Sequence, residues 1–274
     1  MPGERIVPLQ KFESDPTDSL AMHSGNPDFV LSLARGLRVI ESFEGYTDGR
    51  SIVEISQSTG LSRASIRRIL LSLELLGYVE RSRQVYRLRT QVMRLGFSFL
   101  SSSSVVEAAR PVLERITEIV HESSSMSMLD GGEIVYVARS AASRVLAAGL
   151  SVGSRLPAYC TSMGRVLLSG LPDPALDSYL RDLKPKAYTS RTIVKVPQLR
   201  KAILEVRKRG YAIVSEELEA GLRSIAVPVY TRSNRMVAAI NVGTHVSRVD
   251  QGALLKSCLP VLQDGAKTLR NVLI

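Results

Sequence analysis

The 274-residue sequence predicts an α+β chain: an N-terminal winged helix-turn-helix, joined by a linker helix to a second domain of hairpins and packed helices. Three observations carry this. Residues 51–89, SIVEISQSTGLSRASIRRILLSLELLGYVERSRQVYRLR, read as a helix, a glycine turn, a second helix and an arginine-edged hairpin. That order belongs to a unit that places one helix in a DNA groove. Farther along, alternating apolar segments around short turns are interspersed with helical periodicities, which indicates an antiparallel sheet plus helices and not a doubly wound parallel sheet. The length exceeds one small domain and suits two plus a tail.

Residues 1–28 are polar, with Pro2, Pro8, Pro16 and Pro27 and no apolar run, and read as a disordered arm and not a signal peptide. Residues 29–90 are expected to form the DNA-binding domain. Over Phe29–Glu44, Val30, Leu33, Leu37, Ile40 and Phe43 recur at helical spacing and predict a first helix with those five side chains inward. Gly45 and Asp48-Gly49 end it. The helix-turn-helix spans about residues 52–71. Ser51 or Asp48 caps its first helix, Ile52, Ile55 and Ser56 face inward, and Thr59-Gly60-Leu61 makes the turn. Ser62 is the N-cap expected for the next helix, whose Ile66, Ile69, Leu70 and Leu73 form an apolar stripe. At 100° per residue, Ala64 and Arg68 fall opposite that stripe and Ser65 and Arg67 flank it. Gly77 stops the helix. Tyr78–Arg81 and Val85–Leu88 then alternate around Ser82-Arg83-Gln84, with Tyr86 and Leu88 inward and Val85, Arg87 and Arg89 outward, as a wing.

Net charge is +10, but residues 1–90 hold twelve Lys and Arg against eleven Asp and Glu, so most of the surplus lies beyond them. Local arrangement matters more: Ser62 to Arg94 contains eight arginines and only Glu74 and Glu80 as acids, the basic patch a phosphate backbone requires. Ser62, Arg63, Ala64, Ser65, Arg67 and Arg68 are the candidates for base and backbone contacts. The wing arginines Arg81, Arg83 and Arg87 are the candidates for phosphate. The expected partner is double-stranded operator DNA.

Residues 91–104 are expected to link the domains, with a helix over Gln91–Phe99 and a polar break at Ser101–Ser104. In the second domain, residues 105–274, Val106, Ala109, Leu113, Ile116 and Val120 predict a helix over Val105–His121. Met126–Leu129 and Ile134–Ala138 flank Asp130-Gly131-Gly132 as a hairpin. Val145–Leu150, Ile225–Tyr230 and Met236–Val242 read as further strands. Helices are expected over Thr161–Ser169, Asp173–Leu183, Gln198–Arg209 and Leu254–Leu273, the third entered through Pro197 and left at Gly210.

Several function classes are excluded. Cys160 and Cys258 are the only cysteines, so no disulfide framework exists and a reducing cytoplasm is the natural setting. With His23, His121 and His245 scattered, no metal-ligand spacing occurs. No stretch approaches the length of a membrane span. No GxGxxG, GxxxxGK[ST] or GxSxG motif appears, and Ser162 near Cys160 lacks an evident base. The chain is therefore expected to be neither an enzyme nor a cofactor or metal protein. A purely architectural DNA-binding protein would need no second domain as long and motif-dense as this one.

The order of motifs resembles the IclR family of bacterial transcription regulators. LARGL (33–37), TGLSRASIRRIL (59–70) and LGYVE (76–80) carry it in the first domain. LDGGEIVYVAR (129–139), GSRLPAYCTSMGRVLLSGLP (153–172), ELEAGLRSIAVPV (217–229) and AAINVGTH (238–245) carry it in the second. In detail these are similar to the subgroup governing protocatechuate, 4-hydroxybenzoate and β-ketoadipate catabolism. Gentisate or glyoxylate metabolism is the alternative within the family. The resemblance implies a GAF-like effector-binding domain, a homodimer or tetramer on palindromic DNA, and a small carboxylate effector. It further implies a pocket lined by Ser162, Met163, Glu217, Leu222, Ser224, Asn241 and Gly243. The residue types suit that role, because a few polar groups converging among apolar neighbours orient a small ligand. Ser162 and Met163 also fall near a helix N-terminus, where free N–H groups favour a carboxylate. Arg155, Arg165 and Arg223 are open either to meeting that carboxylate or to serving as ion-pair or surface residues.

Overall fold

The computed structural model describes residues 25–142 and 150–273, in two compact units between which the chain divides after Phe99. The expected strand at Val145–Leu150 lies almost wholly outside the described residues.

In the first unit α1 (Leu31–Glu41) precedes β1 (Arg50–Ser51), α2 (Ile52–Thr59), α3 (Arg63–Leu75), β2 (Val79–Ser82) and β3 (Val85–Leu88). The three strands form an antiparallel sheet in the order β1-β3-β2, with Ser82 paired to Val85 across the wing turn and Arg83 left-handed at φ 56°. Ser51 caps α2 in a capping box: its hydroxyl accepts the Glu54 N–H, and the Glu54 carboxylate takes the Ser51 N–H. Gly60, at φ 69°, closes α2 in the left-handed region that favours glycine. Val39, Phe43, Ile55, Ile66, Leu70, Leu73, Val79 and Tyr86 fill the core.

Two expectations fail here. α1 packs inward through Arg38, Val39 and Ile40, whereas Val30, Leu33 and Leu37 are exposed, Leu33 by 61%. Leu88, expected inside, is 38% exposed at the end of its strand. Sequence reasoning also missed a buried cation. The Arg50 guanidinium donates to the Ser42 carbonyl at 2.5 Å and the Glu54 carbonyl at 2.7 Å and stacks on Tyr46, clasping the end of α1 to α2.

A 3₁₀ turn (Thr90–Val92) leads into α4 (Met93–Ser102), and α5 (Ser104–Val120) follows after a break at Ser103. The polar break is thus one residue wide: serines 101 and 102 continue one helix and Ser104 starts the next. The second unit continues with β4 (Ser123–Asp130), β5 (Glu133–Ser140), β6 (Arg155–Pro157), α6 (Ser162–Ser169), α7 (Asp173–Asp182) and α8 (Val196–Arg209). It closes with β7 (Ala212–Ser215), β8 (Leu222–Tyr230), β9 (Met236–His245), a π-helical turn (Leu254–Cys258) and α9 (Leu259–Val272). β6 and β7 are strands that the sequence reading passed over. The six strands form one antiparallel sheet in the order β6-β5-β4-β9-β8-β7.

Each face of this sheet has its own chemistry, as period-2 alternation requires. Met126, Val137, Ile225, Val227, Val229, Ala238, Ile240 and Val242 join Ala109, Leu113 and Ile116 of α5 and Leu262 and Leu269 of α9 in a continuous apolar core. Ser123, Ser125, Asn241, Gly243 and Ser224 occupy the alternate positions on the other face, over which α6 packs against β4, β7, β8 and β9.

Candidate functional site

In the first unit α3 begins at the cap expected of Ser62, whose hydroxyl accepts the Ser65 N–H at 3.2 Å. Capping satisfies one of the four free N–H groups of the first turn and holds the helix start in place. Arg63, Ala64, Arg67 and Arg68 are exposed and Ser65 half-buried, while Ile66 and Leu70 are fully buried on the opposite side. The three arginines have no partner among the described residues, so their guanidinium groups are available. On the wing, Arg81 donates to the Arg83 carbonyl and Arg87 to the Asp48 carbonyl. Each of these bonds orients a guanidinium without neutralising it.

In the second unit a cavity of about 120 Å³ opens between α6 and the polar face of the sheet. All seven residues named for an effector line it: Ser162 and Met163 from α6, Glu217 after β7, Leu222 and Ser224 from β8, and Asn241 and Gly243 from β9. Register explains their meeting. Gly243 is opposite Ser123 on one side and Ser224 on the other; Asn241 is opposite Ser125 and Ala226. The Ser224 hydroxyl then donates to that of Ser162 at 2.8 Å, tying sheet to helix. Thr161 caps α6 through the Gly164 N–H, so the first turn of the helix faces the cavity. Gly164 is required there, since a Cβ would lie 2.1 Å from the Ala158 carbonyl oxygen.

The three arginines left open by the sequence are all engaged elsewhere, and none lines the cavity. Arg155 pairs with Asp130 and Glu133 on the surface. Arg165 is buried in an ion pair with Glu217 at 2.6 Å and also donates to the Tyr159 carbonyl. Arg223 binds Ser215 and the Val249 carbonyl. Glu217 lines the cavity with its charge already matched by Arg165, and it accepts the Ile193 N–H as well.

The structure adds residues that the sequence did not assign to the site. Tyr136, Arg139, His245 and Arg248 also line the cavity. Arg248 holds Glu122 through two bonds, at 3.1 and 2.9 Å. Burial pushes the Tyr136 phenol up to about 12, so it is present as a neutral donor. The Cys160 thiol is buried in the wall and pushed up to about 12 by that burial, with the Glu217 charge adding to it, which leaves a packing thiol and no nucleophile. Among the described residues no cluster of His, Cys, Asp and Glu could hold a metal, and no helix is long and apolar enough to cross a membrane.

Comparison with known proteins follows the same division. The IclR helix-turn-helix model matches residues 32–83, and the model of the bacterial transcriptional regulator IclR C-terminal region matches residues 97–271. The Pca regulon regulatory protein of Pseudomonas putida is 44% identical over 257 residues, 93% of this chain and 88% of that protein. A solved regulator structure from Rhodococcus sp. RHA1 is 46% identical, covers 89% of this chain and 98% of its own, and has a TM-score of 0.79. A structure of a double mutant of the PobR inducer-binding domain from Acinetobacter, in complex with 3-hydroxybenzoic acid, is 31% identical, covers 62% of this chain and all of its own, and has a TM-score of 0.60. With reader, cavity and both family regions in the expected order, the chain belongs to the IclR family of bacterial transcriptional regulators.

Proposed function

We propose that this regulator governs an operon for aromatic-acid catabolism, of the protocatechuate, 4-hydroxybenzoate and β-ketoadipate type, and that a small aromatic or keto acid bound in the second unit sets its operator occupancy. The observation that carries the reading is the convergence of Ser162, Ser224 and Asn241 with apolar Met163 and Leu222 on one cavity, the composition of a site that orients a small organic acid. The 44% identity to a Pca regulon regulator and the hydroxybenzoate complex of a 31% identical relative support the same chemistry.

In this reading α3 enters the major groove. Arg63, Ser65, Arg67 and Arg68, started by the Ser62 cap and given close approach by Ala64, contact bases and phosphates, while Arg81, Arg83 and Arg87 hold backbone. The protein acts in the cytoplasm as a homodimer or tetramer, its two readers on half-sites about 34–36 Å apart. The exposed apolar row Val30, Leu33 and Leu37 on α1 supports a subunit interface, since such rows are rarely left to water. The domains run 29–90 and 105–274, linked through 91–104.

A thermal-shift and mobility-shift screen tests the reading, using aromatic hydroxy acids and keto acids with an operator selected in vitro on the full-length protein. A true effector at a hundred times its Kd adds about 2.7 kcal/mol to the stability of the folded state and changes operator affinity. If no acid does either, the effector assignment is wrong.

A further inference from the structure

We propose that Arg139 is the carboxylate anchor of the cavity and that the Asn241 amide reads an uncharged polar group elsewhere on the same ligand, so that the site selects acids carrying a hydroxyl or keto oxygen. The inference rests on the effector reading above and narrows it to two residues. Arg139 lines the cavity, is half-buried, and has no hydrogen bond or ion pair among the described residues. The only other described arginine in the wall, Arg248, already holds Glu122. A partly desolvated guanidinium without a counter-ion is suited to a ligand carboxylate, which it can take bidentately.

A β-bulge puts Arg139 there. From Asp130↔Glu133 to Ser127↔Tyr136 the β4–β5 register is regular; it then shifts so that Met126 meets Ala138 and Ser125 meets Arg139. Val137 is the extra residue. Bulges re-aim side chains, and this one brings Tyr136 and Arg139 to the same face although three positions separate them. Arg139 therefore lies in one cross-strand row with Ser125 and Asn241.

The second observation is independent. Asn241 is 8% exposed, and its side-chain oxygen is buried without a hydrogen-bond partner. Unpaired buried acceptors are rare and costly, and a ligand hydroxyl would satisfy this one. Turning the amide over would present an N–H₂ donor to a keto oxygen instead, so either orientation reads an uncharged polar group.

Full-length protein is titrated calorimetrically with 4-hydroxybenzoate, its uncharged analogue 4-hydroxybenzamide, and benzoate, in the wild type and in R139M, R139Q and N241L. In the wild type the acid should bind at least about tenfold tighter than the amide, the scale of a charge-assisted hydrogen bond. R139M and R139Q should erase that preference, and N241L should erase the preference for 4-hydroxybenzoate over benzoate, with an unchanged far-ultraviolet circular dichroism spectrum and a cooperative melting transition as the check on folding. Equal wild-type affinity for acid and amide overturns the anchor without needing any variant. So does an acid preference that survives in R139M or R139Q. Failure of the wild type to bind any acid, in this titration and in the wider screen, instead removes the effector reading itself.

Discussion

Replacing Glu217 with Ala strands the Arg165 guanidinium in the wall of the cavity, and the structure sets the scale of the damage. Both side chains are more than nine-tenths buried and meet at 2.6 Å. The same carboxylate oxygen also accepts the Ile193 N–H at 3.2 Å, so the substitution leaves two donors unmatched. Removing one partner of a buried pair costs about 3–5 kcal/mol, mostly from the uncompensated charge that remains. For a unit of this size that lowers the melting temperature by about 6–20 °C. The reverse deletion, R165M, leaves a buried carboxylate with only the Ile193 N–H and should cost a similar amount. The double variant R165M/E217L removes both charges and should recover most of the loss, because well-packed apolar replacements of buried pairs are often near neutral. The chain has no tryptophan, so unfolding is best followed by circular dichroism and calorimetry, the transition of the second unit being compared across the four proteins. A cost below about 1 kcal/mol for E217A, or a double variant as unstable as the two singles added together, would refute the argument that the pair is a desolvated, mutually dependent unit.

Other expectations rest on single contacts. G164A should destabilise the second unit by about 2 kcal/mol or more, since its methyl group meets backbone at Ala158 that cannot swing away; near-wild-type melting would show that α6 can slide. S62A should lower the stability of the winged helix by about 1 kcal/mol through loss of the cap, and an Asp there should restore stability while weakening DNA binding by repulsion of phosphate. R68A should weaken operator binding without changing the melting curve and should reduce the salt-dependence slope by about one; an unchanged slope removes Arg68 from the phosphate contacts. Glu54 is held below the ordinary carboxylate range by its backbone and side-chain bonds to Ser51. A folded-state pKa lowered in this way contributes stability that is present above the unfolded value and lost as pH falls through the folded one. Acid titration of the first unit should therefore show a loss below about pH 4 that S51A lacks.

Much of the reader was legible in the sequence, because its signals are local. Ser51, Gly60, Ser62 and Gly77 each fix a cap or a turn through their own backbone preferences, and the Ile66–Leu73 stripe follows from helical period alone. What failed there depended on distance. Leu33 and Leu37 have the right spacing for burial, but the small core takes up Val39, Ile40 and Phe43 instead, and Leu37 is turned outward although its neighbours Arg38 and Val39 are buried. Arg50 looks like any surface cation until the end of α1 supplies two carbonyls. In the second unit the seven residues named through the motifs all lie on the cavity wall, which Tyr136, Arg139, His245 and Arg248 share, and Ser123, Ser125 and Ser127 are a readable sign of a polar sheet face. Arg139 was missed for a definite reason: strict alternation from Tyr136 turns it toward the opposite face, and the register shift at Val137 is a property of strand pairing that no single strand announces.

That bulge also bears on why this sheet holds a cavity at all. An antiparallel sheet buried on both faces gains most by being apolar on both, as its α5–α9 side is. On the α6 side small and polar residues occupy the central rows instead: Ser125 and Asn241 in one, Ser123, Gly243 and Ser224 in the next. Each forgoes the burial of a Val or Leu side chain, about 1.5–3 kcal/mol where it would be complete, and Asn241 adds an unsatisfied acceptor. The unit remains folded because the opposite face and its two long helices supply a continuous core. A ligand that neutralises Arg139 and satisfies Asn241 would return part of what the polar face gives up. Its binding free energy would then be drawn from groups that have no partner among the described residues, which is how a small molecule can bias a regulator without contributing a large contact area.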